Sequence, residues 1–262
     1  MLLCADIGNT SIKFGVFQLS DNENTPICTF SLSSDISRSS DEYEFFIRQL
    51  LISKNIFGEI NKSVISSVVP SLTHTIKKSL RNLCNYDPFI IGQGTKTGFK
   101  IKIDSPIEFG ADMVSNCAAA IHLYKAPIVI VDFGTATTIT VIDEKQTVLG
   151  SIIMPGIKVS ADALFGSAEL LNGISLNNPK SLIGKNTQDS IRSGIINGNA
   201  FMIDGFIRNI RETVCTADSK LNLIATGGLS NVIVPNLRNK FTVIDDLTLI
   251  GAAKLYKINL SR

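Results

Sequence analysis

The sequence predicts an α/β protein made of two duplicated domains, each with a mixed five-stranded sheet flanked by helices. Two observations indicate the duplication. A strand that ends in an Asp-x-Gly turn and leads into a second strand occurs at residues 2–17 and again at residues 129–142. A strand that runs into a turn occurs at residues 64–70 and again at residues 223–229. Because each pattern has one copy in either half of the chain, we expect two related domains.

The order of elements within each half favours the same fold class. In each half three strands of antiparallel type come first, and alternating strands and helices follow, which is typical of a ribonuclease-H-like domain. The first half has strand patterns near 2–7, 11–18, 26–32, 63–69, 88–91 and 99–103, and helical patterns near 41–54, 71–84 and 110–123. The second half has strand patterns near 128–132, 137–143, 147–153, 222–226 and 241–244, and helical patterns near 159–171, 187–216 and 247–257. The predicted domains are residues 1–118 and 119–262.

The composition is that of a folded protein and does not favour a charged macromolecular partner. Hydrophobic residues make up 44% of the chain and charged residues 18%, which is enough apolar material for a sizeable core. The net charge is +2 and no basic block stands out, so we expect neither nucleic acid nor a membrane surface as a partner. Asp6 comes too early for a signal-peptide core, and we expect a cytoplasmic protein without a membrane span.

The cysteines and histidines give little support to a disulfide framework or a transition-metal site. His74 and His122 have no cysteine or acidic residue nearby at ligand spacing. The five cysteines are odd in number and far apart, so we expect reduced thiols. They are Cys4, Cys28, Cys84, Cys117 and Cys215.

The two Asp-x-Gly turns have the composition of phosphate-binding turns. Glycine permits a close approach of backbone N–H groups to an anion, and neighbouring hydroxyl side chains add donors. The carboxylate of Asp6 or Asp132 would repel a phosphate about 4 Å away by roughly 4 kcal/mol. A cation such as Mg²⁺ would therefore have to lie between the carboxylate and the phosphate. Lys13 could neutralise phosphate charge, and the turn at Thr226–Gly228 could support a purine or its ribose. One such turn alone is more often an ordinary hairpin, and the second copy favours a nucleotide clamped in a cleft between the halves.

Two other nucleotide-binding patterns do not apply. Gly184-Lys185-Asn186 lacks the preceding glycine of a P-loop. Gly92-Gln93-Gly94 starts like a dinucleotide fingerprint, but the next glycine comes one position late and a strand pattern follows.

In their order and spacing, from residue 2 to about residue 252, several short motifs resemble those of type III pantothenate kinases, which have the actin-like ATPase superfold. These motifs are Asp6–Thr10, Gly110–Asp112, Asp132–Thr138, Pro155-Gly156, Gly184–Thr187 and Thr226–Gly228.

The resemblance implies transfer of the ATP γ-phosphate to the primary hydroxyl of pantothenate, the first step towards coenzyme A, by a homodimer. It implies Asp112 as the proton acceptor and Asp132 as the ligand of a monovalent cation (K⁺ or NH₄⁺). Asp6 is the candidate ligand of Mg²⁺ from the charge argument above. The residues implied to bind ATP are Asp6, Ile7, Gly8, Asn9, Thr10, Ser11, Ile12, Lys13 and Thr135. The residues implied to bind the acceptor are Gly110, Ala111, Asp112, Met113 and Thr187.

The chain departs from the family pattern at two positions. Met113 stands where relatives have arginine, and Ile103 stands where they often have tyrosine. A thioether cannot pair bidentately with an anion as a guanidinium does. Two alternatives follow, namely a kinase of the same superfold with another small acceptor and a nucleotide-binding regulatory protein. Without the resemblance, Asp112 would be read as an ordinary acid at a helix start.

Overall fold

A computed structural model describes residues 1–19, 25–166, 175–215 and 220–260. The strands are β1 (Leu2–Ile7), β2 (Ser11–Phe17), β3 (Cys28–Ser33), β4 (Lys62–Ser67), β5 (Phe89–Ile90), β6 (Lys100–Ile101), β7 (Ile128–Phe133), β8 (Ala136–Ile142), β9 (Thr147–Pro155), β10 (Asn222–Thr226) and β11 (Thr242–Val243). The helices are α1 (Ser40–Ser53), α2 (Pro70–Cys84), α3 (Ala111–Leu123), α4 (Ile157–Gly166), α5 (Thr187–Val214), α6 (Ser230–Ile233) and α7 (Leu247–Leu260). The last predicted residues of two helices, 167–171 and 216, lie outside the described residues.

The chain divides into two compact units. Unit 1 comprises Met1–Phe99, Asp104–Leu123 and Asp246–Arg262, and unit 2 comprises Lys100–Ile103 and Tyr124–Asp245. These units do not coincide with the predicted domains 1–118 and 119–262, because α7 returns to pack against α3, β1 and β4 of unit 1.

A glycine explains the close packing of α7 on α3. A Cβ built on Gly251 of α7 would overlap the backbone of Ser115 in α3, so only glycine permits this helix contact. The contact pairs residues that are far apart in sequence, and local patterns therefore do not reveal it.

The sheet of unit 1 has the strand order β3-β2-β1-β4-β5. β1 pairs antiparallel with β2 and parallel with β4, so it lies at the centre of the sheet. Its residues Leu3, Ala5 and Ile7 are fully buried in one core cluster with residues of α1 and α2. Leu2 and Cys4 on the opposite face are equally buried, which is why β1 reads as a continuous apolar run.

The sheet of unit 2 has the order β11-β10-β7-β8-β9-β6, with six strands in the described residues. The prediction of five strands is therefore corrected for this sheet. The extra strand is β6, which was assigned to the first half but pairs parallel with Thr147–Val148 of β9. The core of this unit is a separate cluster formed around β7, β8, β10 and α5.

The strand order confirms the duplication. Sheet order β3-β2-β1-β4-β5 in unit 1 is matched by β9-β8-β7-β10-β11 in unit 2. The aspartates Asp6 and Asp132 each lie at or near the end of a central strand, between an antiparallel hairpin partner and a parallel neighbour. The fold class of two related α/β units with mixed sheets flanked by helices is thus confirmed.

All five cysteines are free thiols; Cys4, Cys84 and Cys117 are buried, and Cys28 and Cys215 are partly buried. Burial raises the pKa of the Cys4 thiol well above its ordinary value, so it stays protonated and unreactive. Of the helices in the described residues, none combines the length and hydropathy of a segment that crosses a bilayer.

Candidate active site

The turn between β1 and β2 is held in a fixed shape at the carboxyl end of β1. The Gly8 N–H donates to the Ser11 carbonyl oxygen at 3.1 Å. Ser34, which follows β3, donates its N–H to the Thr10 carbonyl oxygen at 3.2 Å and its hydroxyl to the Gly8 carbonyl oxygen. The residues Asn9, Thr10 and Ser11 are exposed. A rigid, exposed turn of glycine, amide and hydroxyl residues is suited to binding an anion.

The isoleucines next to this turn can contribute only their backbone to a ligand. Ile7 and Ile12 pair across the hairpin and their side chains are fully buried in the core of unit 1. They fix the register of the hairpin, which in turn places the exposed turn residues.

Asp6 lies at the centre of a small polar group on one face of the sheet. It is partly buried, pairs across the hairpin with Lys13, and lies beside Ser66 of β4. The Ser66 hydroxyl is fully buried and forms no hydrogen bond with the described residues. A carboxylate beside a buried hydroxyl that lacks a protein partner fits a site completed by a hydrated Mg²⁺.

Lys13, which lies across the hairpin from Asp6, also forms an ion pair with a carboxylate outside the hairpin. Its Nζ lies 2.9 Å from Oδ1 of Asp246, the residue that precedes α7. The two side chains are 32% and 27% exposed, so the pair is accessible to a competing anion. Sequence reasoning missed Asp246, because the contact joins residues from opposite ends of the chain.

Asp112 lies in the first turn of α3, at the same edge of the unit 1 sheet as the Gly8–Ser11 turn. A Cβ built on Gly110 would lie 2.5 Å from the Asp112 Oδ1 and 3.5 Å from Cγ1 of Val68. Val68 directly follows β4, and its N–H donates to the carbonyl oxygen of Ile7 at 3.1 Å. These contacts place the Asp112 carboxylate by the carboxyl ends of β1 and β4, where parallel sheets commonly bind ligands.

The environment of Asp112 makes its carboxylate more basic than usual. Burial raises the pKa of this carboxyl above its ordinary value, although the Met113 N–H, which donates to Oδ1 at 2.7 Å, opposes the rise. A carboxylate with a raised pKa at a ligand-binding edge is a candidate general base. Gly110 provides the space for it, because any side chain there would displace the carboxylate.

The side chain of Met113 is buried and only 9% exposed. It therefore contributes to the packing of α3 and supplies no charge to the site. Ile103 lies in unit 2, whereas Gly110–Met113 lies in unit 1.

The equivalent turn in unit 2 is held by Gly156, the residue that follows β9. The Gly156 N–H donates to the Thr135 carbonyl oxygen at 3.1 Å, and a Cβ on Gly156 would overlap the backbone oxygens of Gly134 and Thr135. Glycine is required at position 156 because the end of β9 packs directly against this turn. Thr135 itself is exposed, and the hydrogen bond from Gly156 holds its backbone in place.

Asp132 is enclosed by the glycine turn that follows β10. Gly227 has a φ of +92°, and a Cβ built there would lie 2.5 Å from the Asp132 Oδ1 and 2.6 Å from the carbonyl carbon of Phe133. Gly134 approaches the same oxygen, with a built Cβ 3.5 Å away. The sequence suggested Thr226–Gly228 as a place for the adenosine, and the structure shows in addition that Gly227 lies directly against the Asp132 carboxylate.

Thr187 begins α5 and is exposed. Asn186 caps the helix, accepting the N–H of Asp189 at 2.9 Å, and Gly184 lies so close to Ser190 that a Cβ would overlap the helix backbone. The contacts around Gly184–Thr187 are those of a helix start in unit 2.

The predicted site residues thus fall into two groups. Unit 1 brings together Asp6, the Gly8–Ser11 turn, Lys13 and Asp112, and unit 2 brings together Asp132 and Thr135. Sequence reasoning did not identify Ser34, Ser66 or Asp246, since none of them belongs to a glycine motif.

Comparisons with known proteins agree with this architecture. A family model described as type III pantothenate kinase matches residues 2–209. A type III pantothenate kinase of Halalkalibacterium halodurans is 38% identical over 261 residues, covering 99% of this chain and 100% of the relative.

Two solved structures share the fold at low sequence identity. A Campylobacter jejuni protein assigned to the Baf family of transcriptional activators has a TM-score of 0.62 at 19% identity and covers 99% of this chain and all of its own. A Listeria monocytogenes protein assigned as an N-acetylmannosamine kinase has a TM-score of 0.53 at 11% identity and covers 98% of this chain and 99% of its own. The fold is that of the actin-like ATPases and sugar kinases, and the chain belongs to the type III pantothenate kinase family.

Proposed function

We propose that this protein transfers the γ-phosphate of ATP to the primary hydroxyl of pantothenate, giving 4′-phosphopantothenate in the first step of coenzyme A biosynthesis. The observation that carries the proposal is the position of Asp112. Its partly buried carboxylate, with a raised pKa, lies at the sheet edge that also holds the Gly8–Ser11 turn. Family membership supports pantothenate as the acceptor, and the positions of Asp112 and the Gly8–Ser11 turn support a base and a phosphate-binding turn in one unit.

Asp112 acts as the general base in this proposal. It takes the proton of the primary hydroxyl as the oxygen–phosphorus bond forms and the bond to ADP breaks. A positioned base contributes about 10²–10⁴-fold to such a step. The raised pKa helps, because a more basic carboxylate accepts the proton more readily near neutral pH.

The residues of unit 1 are proposed to hold the phosphates of ATP. Backbone groups of Asp6–Lys13 and the exposed side chains of the turn face the nucleotide, and Lys13 exchanges its contact with Asp246 for one with phosphate. A divalent metal, which a kinase of this family uses with ATP, neutralises phosphate charge when it is bound. Asp6, with the Ser66 hydroxyl beside it, would hold this metal.

The residues of unit 2 are proposed to contribute a further ATP contact and a monovalent cation. Thr135 contacts ATP, and the Asp132 carboxylate, enclosed by Gly134 and Gly227, binds K⁺ or NH₄⁺. Gly110, Ala111, Met113 and Thr187 are proposed acceptor contacts.

We further propose that the protein works as a homodimer in the cytoplasm. The free state of all five cysteines is what a reducing compartment favours.

An acceptor screen tests the proposal against its alternatives. Purified protein is given ATP, Mg²⁺ and either K⁺ or Na⁺, together with pantothenate or other small alcohols and acids, and ADP formation is followed. We expect pantothenate to be the efficient acceptor and K⁺ to support more activity than Na⁺. Efficient use of a different acceptor would favour another kinase of this superfold, and absence of turnover with every acceptor would favour a regulatory protein.

A further inference from the structure

A surface pocket of about 410 Å³ lies in unit 1 between the first turns of α2 and the edge strand β5. Its wall includes Val68 and Pro70 at the start of α2, Ile90 of β5, and His74 and Lys77 from the following turns of α2. None of the residues implied to bind ATP or the acceptor lines this pocket.

The pocket adjoins the position of the Asp112 carboxylate. Val68 forms part of the pocket wall, and its Cγ1 lies 3.5 Å from a Cβ built on Gly110. The same built atom lies 2.5 Å from the Asp112 Oδ1. A molecule whose hydroxyl meets Asp112 can therefore continue over Val68 into the pocket.

The chemistry of the wall matches a ligand with an apolar middle and an anionic end. Val68 and Ile90 are 37% and 38% exposed, so the pocket presents apolar surface that a ligand can cover. Lys77 is partly exposed, and within the described residues it forms no ion pair with a carboxylate. No acidic side chain of the described residues lines the pocket.

The spacing of residues along α2 is of the same order as the length of the proposed acceptor. Lys77 follows Pro70, the first residue of α2, by seven positions, which is about 10 Å along a helix axis. The chain of pantothenate from its primary hydroxyl to its carboxylate contains eight bonds and extends about 10 Å. Its dimethyl group would pass the apolar wall near Val68 and its carboxylate would reach Lys77.

We propose that this pocket binds the carboxylate end of the acceptor and that Lys77 is the residue that selects for the negative charge. This inference rests on the proposed function. It also accounts for Met113, because a buried thioether supplies no cation near Asp112 and Lys77 supplies one from another helix.

A pair of acceptors tests the role of Lys77. Initial rates are measured with pantothenate and with pantothenyl alcohol, in which a hydroxymethyl group replaces the carboxylate. We expect Lys77→Gln to raise the KM for pantothenate about tenfold, as for loss of one charge-assisted hydrogen bond, and to leave kcat and the KM for the alcohol unchanged. Lys77→Arg, which keeps the charge, should retain most of the preference for pantothenate.

The neighbouring residue of α2 provides a matched control. Lys78 is exposed and does not line the pocket, so Lys78→Gln should change neither KM. An unchanged KM for pantothenate in Lys77→Gln, or equal changes for both acceptors, would overturn the inference and leave the proposed function standing. If the wild-type protein phosphorylates neither acceptor, the proposed function fails and the inference fails with it.

Discussion

Replacing Gly227 by alanine tests the close packing that shapes the Asp132 site. Gly227 has a φ of +92°, a conformation that costs an L-residue roughly 1–2 kcal/mol. The new Cβ would also lie 2.5 Å from the Asp132 Oδ1 and 2.7 Å from the Phe133 nitrogen, far inside normal contact. Backbone atoms of the central strand β7 cannot move away easily, so overpacking adds about 1–3 kcal/mol. We expect Gly227→Ala to lower the free energy of unfolding by about 2–5 kcal/mol in total.

The adjacent residue is the natural control. A Cβ on Gly228 would meet nothing within 4 Å, and its φ does not lie in the left-handed region. Gly228→Ala should therefore stay within about 0.5 kcal/mol of wild type.

Urea denaturation of both variants, followed by circular dichroism, gives the comparison, and K⁺ titration of the kinase activity tests the cation site proposed at Asp132. We expect Gly227→Ala alone to shift the denaturation midpoint and to need more K⁺. Equal stability of the two variants would refute the packing of Gly227 on Asp132.

Four further predictions concern residues of unit 1. Asp112→Asn should leave thermal stability at pH 7 unchanged or higher, because the raised pKa means that the ionised carboxylate destabilises the folded state above the unfolded pKa, a cost that disappears as pH falls. For the same reason, kcat of the wild type should fall as pH drops through the raised pKa of Asp112, which a pH–rate profile measures. Gly251→Ala should lower the free energy of unfolding by about 2–4 kcal/mol through overlap with the α3 backbone, whereas Gly205→Ala, which meets nothing within 4 Å, should not destabilise in the same urea experiment. Asp246→Asn should cost less than about 1 kcal/mol of stability, because its ion pair with Lys13 is partly exposed, and a titration should show tighter ATP binding once that competing carboxylate is neutral.

The sequence predicted the fold class because the decisive features are local. The hairpins around Asp6 and Asp132 can be predicted from an apolar run, an Asp-x-Gly turn and a second strand pattern. The predicted strands and helices match the observed ones to within a few residues, except for short elements such as α6. The equivalence of the two sheets followed from the repeat alone.

Features that join distant segments could not be predicted in this way. The addition of β6 to the sheet of unit 2 depends on an edge of β9 that no local pattern reveals. The return of α7 to unit 1 depends on the shape match between Gly251 and α3. The Lys13–Asp246 ion pair follows from that return, and so it too was invisible in the sequence.

The candidate site shows the same division. The glycine motifs in the sequence located both turns. Only the structure shows why glycine is required at Gly156 and Gly227, where a side chain would overlap neighbouring backbone atoms. Asp112 came from the family resemblance, since an acid in a first helical turn is common. Its burial and raised pKa are properties of the fold.

Product analysis of wild type and Asp112→Asn decides whether Asp112 is the base that serves the primary hydroxyl of pantothenate. Each protein is incubated with ATP, Mg²⁺, K⁺ and pantothenate, and the product is examined by ³¹P and ¹H NMR to identify which hydroxyl carries phosphate. We expect phosphate on the primary hydroxyl, formed about 10²–10⁴-fold more slowly by Asp112→Asn with little change in the KM for ATP. Formation of 4′-phosphopantothenate by Asp112→Asn at the wild-type rate, or of no such product by the wild type, would contradict this expectation.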